Sequence, residues 1–202
     1  KVLLAGLQFP DEVLVTTLEC TRDALQERLP VDLSAIASEY VGLGLEHLRQ
    51  APATLPTFLA EDAPLGGLAR QYLDALLRGE RRVASQLVLD CVEQGTSIKD
   101  MYLHVFQQSQ YEIGRLWQMN RITVAQEHYC TAATQLIMSQ LYPHLFGTPR
   151  IGRRLVAACV GDELHELGMR MVADFFEMEG WDTYYVGANT PVKSIVQTVV
   201  ER

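Results

Sequence analysis

Residues 154–168 read Arg-Leu-Val-Ala-Ala-Cys-Val-Gly-Asp-Glu-Leu-His-Glu-Leu-Gly, and this stretch decides the fold. Its first part, Arg154 to Val160, is a continuous run of small and β-branched residues, which is typical of a parallel strand buried on both faces. A polar loop follows, and apolar residues then recur at helical spacing from Leu167 to Glu179. The stretch therefore predicts the strand, loop and helix of an α/β fold.

The pattern continues towards the end of the chain. Gly180 ends the helix, Thr183 to Val186 forms a second strand, and Pro191 opens another helix because its fixed φ suits a first turn. This β-α-β-α order is the start of a doubly wound, Rossmann-like parallel sheet. Two strands cannot bury an α/β core, so we expect the domain to continue past Arg202.

Before this region, residues 65–147 carry four amphipathic helical patterns with short connections. The first ends at Gly79 and the second at Gly95, whereas the third begins at Ser97 and the fourth near Thr123. Short connections between amphipathic helices predict an antiparallel four-helix bundle. The fold class is therefore α plus α/β.

Residues 1–64 are predicted to be an acidic helical segment followed by a linker. Two helices are expected, over Asp11 to Leu29 and Leu33 to Gln50, and Asp32 or Ser34 is a candidate cap for the second. Three prolines after the second helix prevent its continuation. The expected domains are thus this segment, the bundle, and an α/β domain from residue 148 to residue 202.

Composition narrows the functional classes. The formal net charge is −8, which disfavours phosphate binding and hence direct binding of nucleic acid. No run of eighteen apolar residues exists, so no membrane span is predicted. The cysteines at 20, 91, 130 and 159 form no Cys-x-x-Cys pair, and we expect buried free thiols in a reducing cytoplasm.

One candidate site is the loop from Glu163 to Gly168, directly after the first strand. Ligands of open α/β sheets bind at the carboxyl ends of strands. His165 can serve there as a metal ligand, Glu163 can hold its other ring nitrogen, and Gly168 allows the backbone to approach a bulky group. Taken alone, an ordinary helix cap with charged surface residues is the simpler interpretation.

A second candidate site combines Trp117 with Glu127 and His128. Nine residues intervene, including a turn at Asn120-Arg121, so the three side chains can meet on the bundle face near that turn. The simpler interpretation is a core tryptophan and a surface Glu-His pair.

Together the two patterns resemble a known family. Asp/Glu-x-His-x-x-Gly after a strand is similar to the cobalamin (vitamin B12) signature of base-off corrinoid proteins, in which the histidine replaces the cofactor's own lower ligand. The stretch from Tyr111 to Trp117, Tyr-Glu-Ile-Gly-Arg-Leu-Trp, continuing to Glu127-His128, resembles the bundle signature of CarH-type B12 photoreceptors. The resemblance covers residues 65–202.

The resemblance implies that the chain binds adenosylcobalamin in the dark and responds to light. It implies that His165 is the lower axial ligand to cobalt, with Glu163 as its partner. Trp117 would pack against the upper face, Glu127 would contact the adenosyl group, and His128 would take the upper position after photolysis. The family's later Ser-x-Leu and Gly-Gly motifs would lie beyond the last residue.

The CarH pattern also includes a MerR-like DNA-binding domain ahead of the bundle, which residues 1–62 do not resemble. This arrangement resembles the photocobilins, which pair the same B12 module with a bilin, so biliverdin is a candidate second chromophore. A dimerisation or signal-linking helical pair is the alternative. We expect a homo-oligomer or a fused or partner output domain, and no enzymatic activity in this chain.

The sequence is also compatible with other functions. A corrinoid carrier in methyl transfer would share the His165 loop, but its cap is not expected to offer a histidine to the upper face. An antirepressor that binds cobalamin and acts by protein contact is another candidate, and a domain without cofactor is the simplest. The remaining histidines, His47, His104 and His144, carry no partner motif and are interpreted as structural.

Overall fold

A computed structural model describes residues 1–202, and the chain divides into two compact units. The first unit comprises residues 1–57 and 114–124, and the second comprises residues 58–113 and 125–202. The helices are α1 (Val2–Gly6), α2 (Asp11–Arg28), α3 (Val31–Gln50), α4 (Gly66–Leu77), α5 (Arg81–Glu93), α6 (Ile98–Asp100), a π-helical segment (Met101–Phe106), α7 (Gln107–Gln118), α8 (Val124–Gln140), α9 (Tyr142–Leu145), α10 (Leu167–Met178) and α11 (Val192–Glu201), and the strands are β1 (Arg154–Ala158) and β2 (Asp182–Gly187). None of the helices combines the length and the apolarity that crossing a membrane requires.

The first unit contains the two helices predicted near the N-terminus, α2 and α3, which pack on each other. The predicted cap of α3 is wrong, because the helix begins at Val31 and Pro30 occupies the cap position without a side-chain hydrogen bond. Asp32 and Ser34 already lie inside the helix. Asp32 is in its first turn, where a negative charge is favourable beside the helix dipole.

Residues 114–124 belong to this first unit through contacts that the sequence did not predict. The side-chain amide of Asn120 donates to the carbonyl of Gly6 at 3.2 Å, and the guanidinium of Arg115 donates to the carbonyl of Leu55 at 3.0 Å. A β-carbon at Gly6 would collide with the carbonyl of Met119. The short helix α1, also absent from the prediction, therefore depends on a glycine at its end.

The second unit begins with the helices of the predicted bundle. Ser97 caps α6 by accepting from the backbone N–H of Asp100 at 3.0 Å, as expected for the start of the third helix. The rings of Tyr72 and Tyr102 each lie 5.5 Å from that of Phe106, and all three are fully buried. Such aromatic pairs add about 0.5–1.5 kcal/mol each beyond area burial. The helices lie where predicted, and their antiparallel four-helix arrangement stays a prediction.

The α/β part of the second unit follows the predicted order. β1 and β2 pair in parallel, with Arg154 opposite Asp182 and Ala157 opposite Tyr185, and α10 connects them. β1 ends at Ala158 rather than Val160, because the register becomes irregular after Ala157. The helix-rich architecture with the start of a Rossmann-like sheet is thus confirmed, and the three-domain division stays a prediction.

Buried polar contacts tie α10 to the helices of the same unit. The hydroxyl of Tyr102 donates to Asp174 at 2.8 Å, and burial raises the pKa of that carboxyl above its usual range. The guanidinium of Arg170 donates to the hydroxyl of Tyr142 at 3.0 Å and lies over its ring. These contacts fix α10, and with it the loop between β1 and α10, against the π-helical segment and α9.

All four cysteines are free, as expected, but they are not all buried. Cys20 is exposed on α2 and Cys91 is half-buried, whereas Cys130 and Cys159 are buried. The prediction of a buried thiol is therefore wrong for Cys20, because α2 packs on the unit through only one face. Burial, followed by the nearby charge of Glu127, raises the pKa of Cys130 to about 11, which keeps this thiol protonated and unreactive.

Candidate functional site

The loop after β1 is shaped by its own backbone. Asp162 adopts a left-handed conformation with φ 65°, and the backbone N–H of Glu163 donates to the carbonyl of Val160 at 3.1 Å. Aspartate tolerates this conformation better than most residues. The turn brings the carboxylate of Glu163 back towards the backbone of His165, whose N–H donates to it at 2.7 Å.

The same carboxylate holds the imidazole ring. Oε1 of Glu163 lies 2.6 Å from Nδ1 of His165, and the histidine side chain is 92% exposed. Hydrogen bonds from the backbone and the side chain of His165 hold the pKa of Glu163 below its usual range. A charged carboxylate on Nδ1 favours the tautomer with its proton there, so Nε2 presents a lone pair to solvent.

The loop that carries His165 is open and includes two exposed apolar side chains. Val160 is 76% exposed and Leu164 is 69% exposed, and both lie in the loop that follows β1. Apart from its chain neighbours and the backbone of α10 itself, no heavy atom lies within 4 Å of a β-carbon placed on Gly168. Exposed apolar side chains around a metal-competent imidazole fit a large, flat, partly apolar ligand.

The donor set restricts the kind of metal. No group of three or more His, Cys, Asp or Glu side chains in the chain can hold a metal ion. A single imidazole suits a metal that brings most of its ligands with it, as cobalt does in a corrin. The residues present therefore fit a cobalamin better than a bare ion.

Glu166 was not among the predicted site residues. Its carboxylate accepts from the side-chain amide of Gln135 at 3.1 Å, from the backbone N–H of Ala188 at 3.2 Å and from the hydroxyl of Tyr185 at 3.3 Å. Burial, and then the charge of Glu166, raises the pKa of Tyr185 far above its usual value. Its position directly after His165 could have marked it as a candidate, but its hydrogen-bond partners lie on other elements and could not be read from the sequence.

The second predicted site lies at the start of α8. Glu127 is the fourth residue of this helix, and its Oε2 contacts Nδ1 of His128. The side chain of His128 is 75% exposed and that of Glu127 is 22% exposed. The hydroxyl of Thr131 lies 3.0 Å from Oε1 of Glu127, one turn further along the helix.

A chain of polar side chains leads from this pair into the core. The hydroxyl of Thr131 also lies 3.0 Å from Oε1 of Gln110, whose amide nitrogen donates to the hydroxyl of Thr134 at 3.0 Å. Thr134 in turn lies 2.9 Å from the hydroxyl of Tyr72, a fully buried residue whose pKa is raised by burial. We call Tyr72, Gln110, Thr131 and Thr134 the polar ladder.

A concave surface borders the same end of α8. The cavity that it forms between the end of α4 and the start of α8 has a volume of about 330 Å³. The hydroxyl of Tyr129 donates to the carbonyl of Gly79 at 2.9 Å. Its lining residues are Leu76, Leu77, Arg78, Gly79, Ala125, Gln126 and Tyr129.

Trp117 lies near the end of α7 in the first unit and is 41% exposed. Glu127 and His128 belong to the second unit. The predicted meeting of Trp117 with this pair stays a prediction, as do the cofactor-binding roles of all six predicted residues.

Comparisons with known proteins bear on the ligand. Residues 68–142 and residues 153–202 each match a family model described as a B12 binding domain. The HTH-type transcriptional repressor CarA of Myxococcus xanthus is 30% identical over 81 residues, which are 40% of this chain and 28% of the repressor. The chain thus matches under a third of that relative.

Among solved structures, the monomethylamine corrinoid protein of Methanosarcina barkeri is similar in fold, with a TM-score of 0.60 and 14% identity. The match covers 68% of this chain and 65% of that protein. The two family models follow one another in the order of the helical part and the α/β part of the fold. Residues 68–202 therefore carry a cobalamin-binding module, with His165 in the loop where the α/β part begins.

Proposed function

We propose that this chain is a light-responsive, cobalamin-binding regulatory module with adenosylcobalamin as its dark-state cofactor. The observation that carries the proposal is the Glu127-His128 pair, an exposed imidazole oriented by a carboxylate at the start of α8. A module that only stores a corrinoid needs His165 alone. A second oriented imidazole is useful only if it acquires a ligand of its own.

The lower ligand in this proposal is His165. The proposal is supported by the hydrogen bond that Nδ1 of His165 donates to Glu163, together with the open Nε2. When bound, adenosylcobalamin supplies a cobalt–carbon bond that visible light breaks, as in the photoreceptors that the chain resembles. The role of Glu163 is to keep the ring in one tautomer and to raise its basicity.

The position of His128 on α8 supports the upper-ligand role. Gln135, which donates to Glu166 beside His165, lies seven residues further along the same helix. Seven residues are close to two turns and about 10 Å along the axis, so the two side chains share a face of α8. The face that touches the His165 loop is thus the face that presents His128.

The regulatory part of the proposal draws on the similarity to CarA, an HTH-type transcriptional repressor. The net charge of −8 argues against direct DNA binding by residues 1–202, so we propose that the output passes through a partner, a fused domain or a second copy of the chain. A bilin held by the N-terminal helices is a further element of the proposal, tested by adding biliverdin to the purified protein.

The test compares dark and illuminated spectra of the protein loaded with adenosylcobalamin. We expect His128→Ala to bind adenosylcobalamin in the dark like the unaltered protein and to lose the stable bis-imidazole spectrum after green light. His47→Ala, an exposed histidine on α3, is the matched control. An illuminated spectrum of His128→Ala identical to that of the unaltered protein refutes the upper-ligand role.

A corrinoid carrier in methyl transfer is the second candidate. The fold similarity to the monomethylamine corrinoid protein favours it, because that protein has the same fold over two thirds of this chain. A carrier accepts and donates a methyl group in the dark with a partner methyltransferase, and removal of His128 leaves that exchange intact. An illuminated spectrum of the unaltered protein without the bis-imidazole form would favour the carrier.

A further inference from the structure

Glu166 joins three elements of the second unit through one carboxylate. Oε1 accepts from Gln135 on α8, and Oε2 accepts from the backbone N–H of Ala188 after β2 and from the hydroxyl of Tyr185 within β2. The side chain is half-buried. Hydrogen bonds to an ionised acceptor are stronger than those between neutral groups, so this set of contacts resists displacement.

The anchoring of His165 itself is different. Its side chain and its backbone N–H both bind Glu163, which lies two residues earlier in the same loop. That pair fixes the tautomer of the ring, but it moves with the loop as a whole. Glu166 is bonded to His165 through the peptide bond and is tied to elements outside the loop, so its contacts set where the imidazole stands.

We propose that Glu166 is a positioning residue, which clamps the His165 loop between α8 and the end of β2 so that Nε2 of His165 is held at the place the cobalt occupies. The inference rests on the proposed role of His165 as the lower ligand. It adds a second carboxylate to the loop with a separate task, since Glu163 orients the ring and Glu166 locates it.

The clamp also connects the two histidines through one helix. Gln135 shares a face of α8 with Thr131 and Glu127, at intervals of four residues, and Glu127 contacts His128. A shift of the His165 loop that breaks the contact between Gln135 and Glu166 therefore acts on the helix that carries His128.

The sharpest variant is Glu166→Gln, which keeps the shape of the side chain. Its amide oxygen can still accept from Ala188 and Tyr185, and its amide nitrogen then faces Gln135, which has to turn its own amide to accept. The substitution therefore replaces charge-assisted contacts by weaker neutral ones. Gln135→Met removes the α8 contact alone. Glu179→Gln, at the exposed far end of α10, is the matched control.

Two measurements test the clamp, both in the dark. The first is the electron paramagnetic resonance spectrum of bound cob(II)alamin in protein containing ¹⁵N-histidine, which separates a histidine nitrogen from the cofactor's own base. The second is the affinity for hydroxocobalamin. For Glu166→Gln we expect loss of the ¹⁵N splitting in part of the sample and an affinity about tenfold lower, in the range known for groups that orient a metal ligand.

Hydrogen exchange of the cofactor-free protein gives an independent readout. We expect the amide of Ala188 to exchange faster in Glu166→Gln and to be unchanged in Glu179→Gln. Faster exchange with an unaltered ¹⁵N splitting and affinity overturns the inference, because Glu166 is then only structural. If Glu166→Gln does not fold, the same measurements are made on Gln135→Met, for which we expect a smaller loss of ¹⁵N splitting.

The outcome is separable from that of the proposed function. Absence of a ¹⁵N splitting in the unaltered protein overturns both the ligand role of His165 and the clamp. Unchanged spectra for Glu166→Gln beside a normal spectrum of the unaltered protein overturn the clamp alone. A failure of the light response leaves the clamp standing, since neither measurement uses light.

Discussion

The two candidate ligands, His128 and His165, are built alike and supported differently. In each pair, Nδ1 faces a glutamate close in sequence and the imidazole is mostly exposed. The carboxylate of Glu163 accepts from both the backbone and the ring of His165. Glu127 is also tied to Thr131, and through the polar ladder to Tyr72 in the core.

This difference suggests a division of labour. The ring of His165 is oriented by a glutamate of its own loop, and Glu166 ties that loop to α8 and to the end of β2, so this ligand is preorganised. An imidazole linked to the core can pass a change in its position to the packing of α8, α7 and α4, which supply the ladder. In our proposal, His165 accordingly holds the cofactor and His128 signals.

The largest effect on cobalamin binding is expected when His165 itself is replaced. We expect His165→Ala to weaken dark binding of cobalamin by about 100-fold, at the upper end of the range for groups that merely support a ligand. Equilibrium dialysis with hydroxocobalamin measures this. His144→Ala, an exposed histidine on α9, is the control, and equal affinities for the two variants would remove His165 from the ligand role.

The next largest effects should distinguish the role of Glu163 from that of Glu127. We expect Glu163→Gln to weaken dark binding by about tenfold, because the ring loses its charged partner. Glu127→Gln should leave dark affinity within about twofold and shorten the lifetime of the illuminated state instead. Dark titration and decay of the light-state spectrum measure the two effects. The reverse assignment of effects contradicts the division of labour.

A smaller effect tests the ladder. Tyr72→Phe removes one buried hydrogen bond to Thr134 and should lower the free energy of unfolding by about 1 kcal/mol. Urea denaturation measures it. The position of His165 should not change, so dark affinity for cobalamin should stay constant. A large loss of dark affinity would show that the ladder supports both histidines.

The smallest effect concerns pH. The pKa of Glu163 lies below its usual range in the folded protein, so its contribution to stability is fully present above the ordinary glutamate pKa and is lost as the pH falls through the lower folded value. We therefore expect Glu163 to remain charged under acidic conditions that protonate most glutamates. Carboxyl ¹³C chemical shifts against pH measure it. A normal or raised pKa would mean that the contact with His165 does not form in solution.

The local sequence pattern was sufficient to predict most helices and strands and the contact between Glu163 and His165. The change of pattern after residue 148 predicted β1, α10 and β2, since a continuous apolar run and a helical spacing can both be recognised in consecutive residues. The spacing of Glu163 and His165 predicted their contact, because two residues in one loop are always near each other. α1 and the π-helical segment left no such signal.

The partners of Glu166 could not be predicted in the same way. They come from α8, from β2 and from the residues after β2, and their approach depends on how α10 docks through Tyr102 and Asp174. The polar ladder is similar, since it needs the register of three helices at once. The exposure of a side chain also depends on tertiary packing, since Cys20 is exposed although a buried thiol was predicted.

The sequence by itself determined the order of helices and strands, the loop that carries His165, and the glutamate beside each histidine, because these follow from short-range spacing. Only the tertiary structure decided which carboxylate is tied to distant elements and which histidine is linked to the core. The physical reason is that hydrogen bonds between elements require angles and distances that packing sets, and packing depends on the whole unit rather than on any one stretch.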